Sequence, residues 1–262
     1  MKMKGRYPWR IGATSFVLPA DVSENVAFLA ERVDDIQLLF FESASKAALP
    51  HKVNISHLKN VASEHNVTYT VHLPTDLSLG SSKQVLRDEA VVEILRLMDE
   101  LASLAPQAFD LHLNLESGLE QAVWLENLHK SFSYLAGALG SERSRIAVEN
   151  IDYPFSSVRS LVLEHGFSLC LDIGHALRYG EVADLLIQDI PLAQHIHFHG
   201  VEGGSDHQEI SSSHEDLSRA LGNALVVEKF TGVLTVEVYS QKILEKSLKE
   251  LARVWKEFEH QA

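Results

Sequence analysis

Eight short segments rich in apolar and β-branched residues alternate with helical stretches along almost the whole chain, and this alternation restricts the possible folds more than any other feature. Strands are expected at Ile11–Phe16, Asp35–Phe41, Val67–Leu73, Ala108–Leu113, Ile146–Asn150, Ser168–Ile173, His195–His199 and Gly232–Tyr239. Between them, Asn25–Ala30, Ile55–His65, Arg87–Leu104, Leu119–Ala138, Ser156–Glu164, Ala183–Gln188 and Ile243–Phe258 carry apolar residues at three- and four-residue spacing, the period of an amphipathic helix. Strands that alternate with helices pair in parallel, and eight such units within 262 residues fit a closed (β/α)8 TIM barrel, taken as one domain over residues 1–262. A doubly wound dinucleotide fold is disfavoured: no G-x-G-x-x-G follows the first strand, and no G-x-x-x-x-G-K-[ST] occurs. Gly203-Gly204 reads only as a loop signal.

In such a barrel the catalytic groups lie at the C-terminal ends of the strands. Here those ends carry Glu42, His72, His112, Glu149, then Asp172 with His175, then His197 and His199, and last Glu237; Asp206 and His207 follow the seventh strand. Apolar β-formers flank most of these residues, which places them in strand interiors rather than in solvated loops. A lone buried carboxylate costs several kcal/mol, on the order of the penalty for an unpaired buried ion. Successive strands would bear that cost at the same end of the barrel, and shared cations would compensate all of them together. Mixed imidazole and carboxylate donors suit Zn, Mn or Fe. Two ions roughly 3.5–4 Å apart can activate a water and stabilise the leaving oxygen of an in-line phosphoryl displacement. Two to three divalent ions, Zn or Mn first, are therefore the expected cofactors.

Composition limits the partners. Acids outnumber bases 36 to 23, giving a formal charge of −13, which disfavours a nucleic-acid grip that needs a basic footprint. The single cysteine, Cys170, rules out an internal disulfide or a CxxC zinc knuckle and is expected to be a buried thiol. No apolar run is long enough to span a membrane, and the basic segment 1–10 lacks the apolar core of a signal peptide, so a cytoplasmic protein acting on a small molecule is expected. The oligomeric state is left open. Asp110 and Arg145 precede ligands on adjacent strands and are expected to pair inside the lower barrel. His195 faces either the barrel or the packing beneath it, and His199 is either a substrate contact or a ligand. His51, His57, His65, His129, His165, His214 and His260 fall in helices or surface loops and receive no role.

The order His72, His112, Glu149, Asp172-x-x-His175, His197, His207, Glu237 resembles the endonuclease IV, or AP endonuclease 2, superfamily of xylose-isomerase-like barrels. The resemblance implies that His72, His112 and Glu149 hold a first ion, that Glu149, Asp172, His197 and Glu237 hold a second, and that His175 and His207 hold a third. It departs at Ser205-Asp206-His207, where the superfamily has Asp-x-His, so the third ion rests on Asp206 as a substitute or is absent. Longer stretches, Thr70-Val-His-Leu-Pro-Thr-Asp-Leu-Ser-Leu-Gly80, Val148-Glu-Asn-Ile-Asp-Tyr-Pro-Phe155 and Cys170-Leu-Asp-Ile-Gly-His175, are similar to the bacterial cobamide-remodelling hydrolases, as are Gly12-Ala-Thr-Ser-Phe16 and Phe41-Glu-Ser43. That resemblance implies cleavage of the phosphoribosyl bond in the nucleotide loop of a vitamin B12-type cobamide, giving cobinamide phosphate and the lower-ligand riboside.

On this reading Glu149, Glu237 and Glu42 are the catalytic carboxylates, with Glu42 a base or substrate contact. Asn150, Asp152, Tyr153 and His199 line the substrate pocket, and the 74–80 loop forms another wall. Three rivals remain. A one-metal sugar isomerase or epimerase needs only Glu149, Asp172, His197 and Glu237, an abasic-site endonuclease conflicts with the acidic balance, and a silent metal barrel would turn nothing over.

Overall fold

The computed structural model describes residues 2–41, 43 and 54–259. Its parallel strands are β1 (Arg10–Thr14), β2 (Asp35–Leu39), β3 (Thr68–His72), β4 (Phe109–Leu111), β5 (Ile146–Glu149), β6 (Ser168–Asp172), β7 (Ala193–Phe198) and, after a hairpin of β8 (Gly200–Glu202) and β9 (Ser205–Gln208), β10 (Val233–Val236). They close in the order β1-β10-β7-β6-β5-β4-β3-β2. The expected eight-stranded TIM barrel is therefore the fold. Every residue of β2 and of β6 is buried, as required of strands covered on both faces.

The outer helices are α1 (Val22–Leu29), α2 (Ile55–His65), α3 (Gln84–Leu101), α4 (Gln121–Leu139), α5 (Ser156–Glu164), α6 (Ile173–Tyr179), the single turn α7 (Val182–Asp184), α8 (Glu215–Val227) and α9 (Gln241–Val254). Each long helix turns an apolar stripe inward; in α9 Leu244, Leu248, Leu251 and Val254 are all buried. Asp21 and Glu24 form a reciprocal capping box at the start of α1. Among the described residues no helix is long and apolar enough to cross a membrane.

Two helices, α6 and α8, have no counterpart in the sequence expectation. The buried face of α8 carries Ser218 and Gly222 between Leu221 and Leu225. These small residues lie beneath Trp255 and Phe258, and the Trp255 indole N–H donates to the Ser218 carbonyl at 2.6 Å. Ser218 and Gly222 thus share the inward face with Leu221 and Leu225, and close packing supplements the apolar stripe there. Helix α6 starts directly at the end of β6, so its first residues read as strand. Gly203 and Gly204 adopt φ +58° and +83° and make the two-residue turn between β8 and β9, a geometry that favours glycine.

Arg145 and Asp110 do not pair, which corrects the expected ion pair. Arg145 is the last residue of a 3-10 segment, before β5 begins, so strand parity does not govern it. Its guanidinium bonds Glu142 at 2.8 Å and the Pro106 carbonyl, over the Phe109 ring. Asp110 is fully buried and meets His195 instead.

The loop after β1 reaches the mouth of the barrel and is held by one side chain. The buried Asn25 carboxamide accepts from the backbone N–H of Val17 and of Leu18, and its amide donates to the carbonyls of Leu18, Ala20 and Asp21. Replacing it with an apolar isostere strands several buried backbone groups at a cost of about 1–3 kcal/mol each. Asn25→Leu is expected to lower unfolding stability by roughly 2–4 kcal/mol in urea titrations.

Candidate metal centre

The polar residues expected at the strand ends converge at the C-terminal mouth. His72 ends β3, Glu149 ends β5, Asp172 ends β6, His197 lies in β7, and Glu237 directly follows β10. Register aligns them: Asp172 pairs with His197, and His197 with Thr235. Among the described residues, three candidate ligand groups lie at this mouth, each with its donor atoms within 4.8 Å of one another: His72, His112, Glu149; then Glu149, Asp172, His197, Glu237; then His175, His199, His207; a fourth, Asp110, Cys170, His195, His197, is fully buried. The first two share Glu149. The third contains His199 where the sequence expectation had Asp206. The Asp206 carboxylate instead bonds Arg178 at 2.9 Å and stays 4.0 Å from His175.

Glu149 is buried among imidazoles. His112 Nε2 lies 3.2 Å from it, and His72 Nε2, His197 Nδ1 and His175 Nδ1 each lie 3.5 Å away. Burial alone would raise its pKa, but His112 and His197 override that and hold the carboxyl well below the usual carboxylate range. Glu237 behaves alike: burial raises it, and His197 more than reverses the shift. Burial pulls His72 down, yet its hydrogen bond to Glu149 raises it to about 9.

Backbone carbonyls orient several rings. His72 Nδ1 faces the Leu73 carbonyl at 2.8 Å, His175 Nδ1 the Asn150 carbonyl at 3.0 Å, and His207 Nδ1 the Glu237 carbonyl at 3.2 Å. An N–H donated there leaves Nε2 as the free lone pair, the tautomer that a metal needs. His197 is turned the other way. Its Nε2 points to Gln37 at 2.7 Å and Asp110 at 3.6 Å, and its Nδ1 points to Glu237 at 3.1 Å. That last contact is short but not aligned as a hydrogen bond, and His197 Nδ1 and Glu237 Oε2 are both buried without a hydrogen-bond partner. These two orphaned buried atoms, with Glu149 and Asp172 also within 3.5–4.0 Å of His197 Nδ1, are an arrangement that a cation satisfies. The donor set therefore fits a divalent ion.

The four residues expected to line the substrate pocket lie elsewhere. The Asn150 amide donates to the Asp172 carbonyl and its oxygen accepts from the Asp172 N–H, both at 2.8 Å, so this buried side chain fixes the strand of Asp172 and is not part of the wall of the cavity over the ligand groups. Tyr153 is buried edge-on against Trp124. Asp152 is exposed, away from the cavity walls. His199 is fully buried, bracketed by Asp172 at 3.2 Å and the Gly200 carbonyl at 3.1 Å. A Cβ on Gly174 would stand 2.1 Å from the His199 ring, so glycine alone admits this packing. Glu42 lies outside the described residues. His195 proves to be the deeper packing residue, between Asp110 at 2.8 Å and Thr235 at 2.7 Å, and Cys170 is buried beside Ala108 and Ala147.

The cavity above the ligands is about 150 Å³ and is walled by Leu39, Phe40, Phe41, Thr75 and Tyr239 together with the ligands. Thr75 is the contribution of the expected 74–80 wall. Phe41 enters the sequence reading only within the Phe41-Glu-Ser43 segment and Tyr239 only as a strand end; neither is expected there as a cavity wall, because an aromatic residue at a strand end reads as core. The Tyr239 hydroxyl donates to Glu237 Oε1 at 3.1 Å and so fixes a ligand carboxylate.

These features define a barrel whose mouth gathers histidines and carboxylates in groups that could hold metal ions. The chain belongs to the xylose isomerase-like TIM barrel family, which it matches over residues 28–258. No curated protein matches its sequence. Solved structures share the fold at low identity. A D-tagatose 3-epimerase-like protein superposes at a TM-score of 0.79 and 18% identity, over 95% of this chain and 98% of the other. The IOLI protein with a bound zinc atom gives 0.76 and 14%, over 95% and 99%. A family 2 AP endonuclease from Brucella melitensis gives 0.67 and 16%, also over 95% and 99%.

Two outcomes follow for metal binding. His72, at about 9 in the metal-free protein, must lose its proton to coordinate, so affinity should rise about tenfold per pH unit between pH 7 and 9 and then level off, as read by chelator competition. Asp110→Asn weakens the support behind His197 and should loosen the metal about 10- to 100-fold, measured the same way, with the metal-free unfolding curve as the control for folding.

Proposed function

We propose that the protein is a divalent-metal-dependent phosphoester hydrolase, and that its substrate is the nucleotide loop of a cobamide, cut at the phosphoribosyl bond to give cobinamide phosphate and a riboside. The observation that carries the hydrolase reading is the pair of ligand groups joined at Glu149. A single-ion site is complete with Glu149, Asp172, His197 and Glu237; His72 and His112 add a second group on the open side, facing the cavity. Two adjacent divalent ions, Zn or Mn, would lower the pKa of a water and neutralise charge on the phosphoryl oxygens.

The chain's own residues prepare that chemistry. Glu149 stays ionised between the two groups and would fix their spacing. Asp172 accepts from the His175 N–H at 2.8 Å as the cap of α6, which ties β6 to the third histidine cluster. The Tyr239 hydroxyl holds Glu237 in place. The reaction breaks the bond from phosphorus to the ribose oxygen: water oxygen adds to phosphorus in line, and the departing alkoxide takes up a proton. The cobamide itself rests on the resemblance of the segments 70–80, 148–155 and 170–175 and on the acidic balance, which disfavours a DNA-binding surface.

Incubation of metal-loaded protein with adenosylcobalamin, with the products resolved by mass, should yield cobinamide phosphate. Chelation should abolish the activity, and Glu149→Ala should lower it at least 1,000-fold (on the order of 4 kcal/mol of barrier) with the circular dichroism spectrum intact. Intact cobalamin removes the cobamide reading. An epimerase is the second reading, favoured by the self-contained four-residue group. Elemental analysis separates the two, since one ion per chain with ketose epimerisation would replace the hydrolase.

A further inference from the structure

The cavity over the ligand groups holds about 150 Å³. At about 30 Å³ of liquid per molecule, that is the space of roughly five waters. Pockets that enclose a drug-sized ligand measure about 300–1,000 Å³. A phosphoryl group fits within it, but neither organic arm of a phosphodiester does. Both arms must lie across the rim, and the rim is chemically uneven.

One side is aromatic. Phe16, from the loop after β1, is 49% exposed; Phe41, after β2, and Tyr239, after β10, are each 37% exposed. Phe16 and Phe41 meet edge to face at 5.1 Å, and Phe41 and Tyr239 at 6.1 Å. Tyr239 lies 4.8 Å from the ring of His207, so the aromatic row runs directly into the third ligand cluster. Rings set near right angles form a corner, in which a flat ring stacks on one face while its edge meets the next. Beside the row the lining turns polar, with Thr75, whose hydroxyl donates to the Phe41 carbonyl at 2.9 Å, and His112.

We infer that Phe16, Phe41 and Tyr239 form the subsite for a planar heteroaromatic base, the base of the nucleoside arm of the ester, with the phosphate over the metal ligands. The assignment rests on the phosphoester reading for the position of the phosphate, but the stacking itself does not need turnover. A bare sugar fits the corner poorly. Its hydroxyls would lose water against two phenyl rings that offer no hydrogen bond. The one hydroxyl in the row, that of Tyr239, is already spent on Glu237. Stacking on an aromatic side chain is sequence-tolerant, so the subsite would select for flatness rather than for a particular base.

The test is calorimetric titration of metal-loaded, full-length protein with benzimidazole riboside and, separately, with ribose. The riboside should bind at least about tenfold more tightly than ribose, and Phe16→Ser should weaken the riboside about tenfold while leaving ribose unchanged. Phe16 is half exposed and outside the ligand groups, and an unchanged unfolding curve confirms that the variant folds. Ribose binding as tightly as the riboside, or riboside binding indifferent to Phe16→Ser, overturns the subsite. Riboside binding that depends on Phe16 in a protein that leaves cobalamin intact keeps the subsite and removes the cobamide reading. Cobalamin cleavage with Phe16 irrelevant to the riboside does the reverse.

Discussion

One buried carboxylate organises the mouth of this barrel. Glu149 is withdrawn from water at the end of β5, where an unpaired charge is costly, and four histidines from β3, β7, α6 and the segment after β4 approach it within 3.2–3.5 Å. Without Glu149 those imidazoles lose their common counter-charge, and the two ligand groups lose their shared member. The rest of the mouth can be understood as structure that keeps Glu149 ionised and its partners correctly turned.

The support is layered. Backbone carbonyls fix the rings of His72, His175 and His207 from outside. His197 is fixed from below, by Gln37 and by Asp110, whose charge is retained because His195 faces it. Burial works against Asp110, and the neighbouring histidines override it to depress its pKa. Asn150 binds the Asp172 backbone through both ends of its amide, so the ligand strand β6 is fixed to β5 as well as to β7. A site on rigid strands, backed by a second layer of hydrogen bonds, is preorganised for a compact, highly charged guest.

Much of this was legible in the sequence because strand periodicity and barrel closure convert position along the chain into position in space. Residues at the ends of parallel strands must meet, so His72, Glu149, Asp172, His197 and Glu237 could be grouped without a structure. The failures have equally local reasons. Arg145 sits one residue before a strand and escapes its alternation. Asn150 and Tyr153 follow a ligand, but the chain turns them toward β6 and Trp124 rather than into the cavity. The apolar signal of α8 is diluted by Ser218 and Gly222, whose small size admits Trp255.

The sequence by itself determined the eightfold alternation, the family, and the set of imidazoles and carboxylates at the strand ends, because periodicity and side-chain chemistry are properties of the chain alone. Tertiary structure decided what depends on direction and distance. It placed His199, rather than Asp206, with His175 and His207, and sent Asp206 to Arg178. It gave Asp110 to His195 instead of Arg145, and it brought Phe16, Phe41 and Tyr239, far apart in sequence, into one row at the rim. Those outcomes follow from closure of the barrel, which makes neighbours of β1, β2 and β10 and so sets which side chains share a small volume.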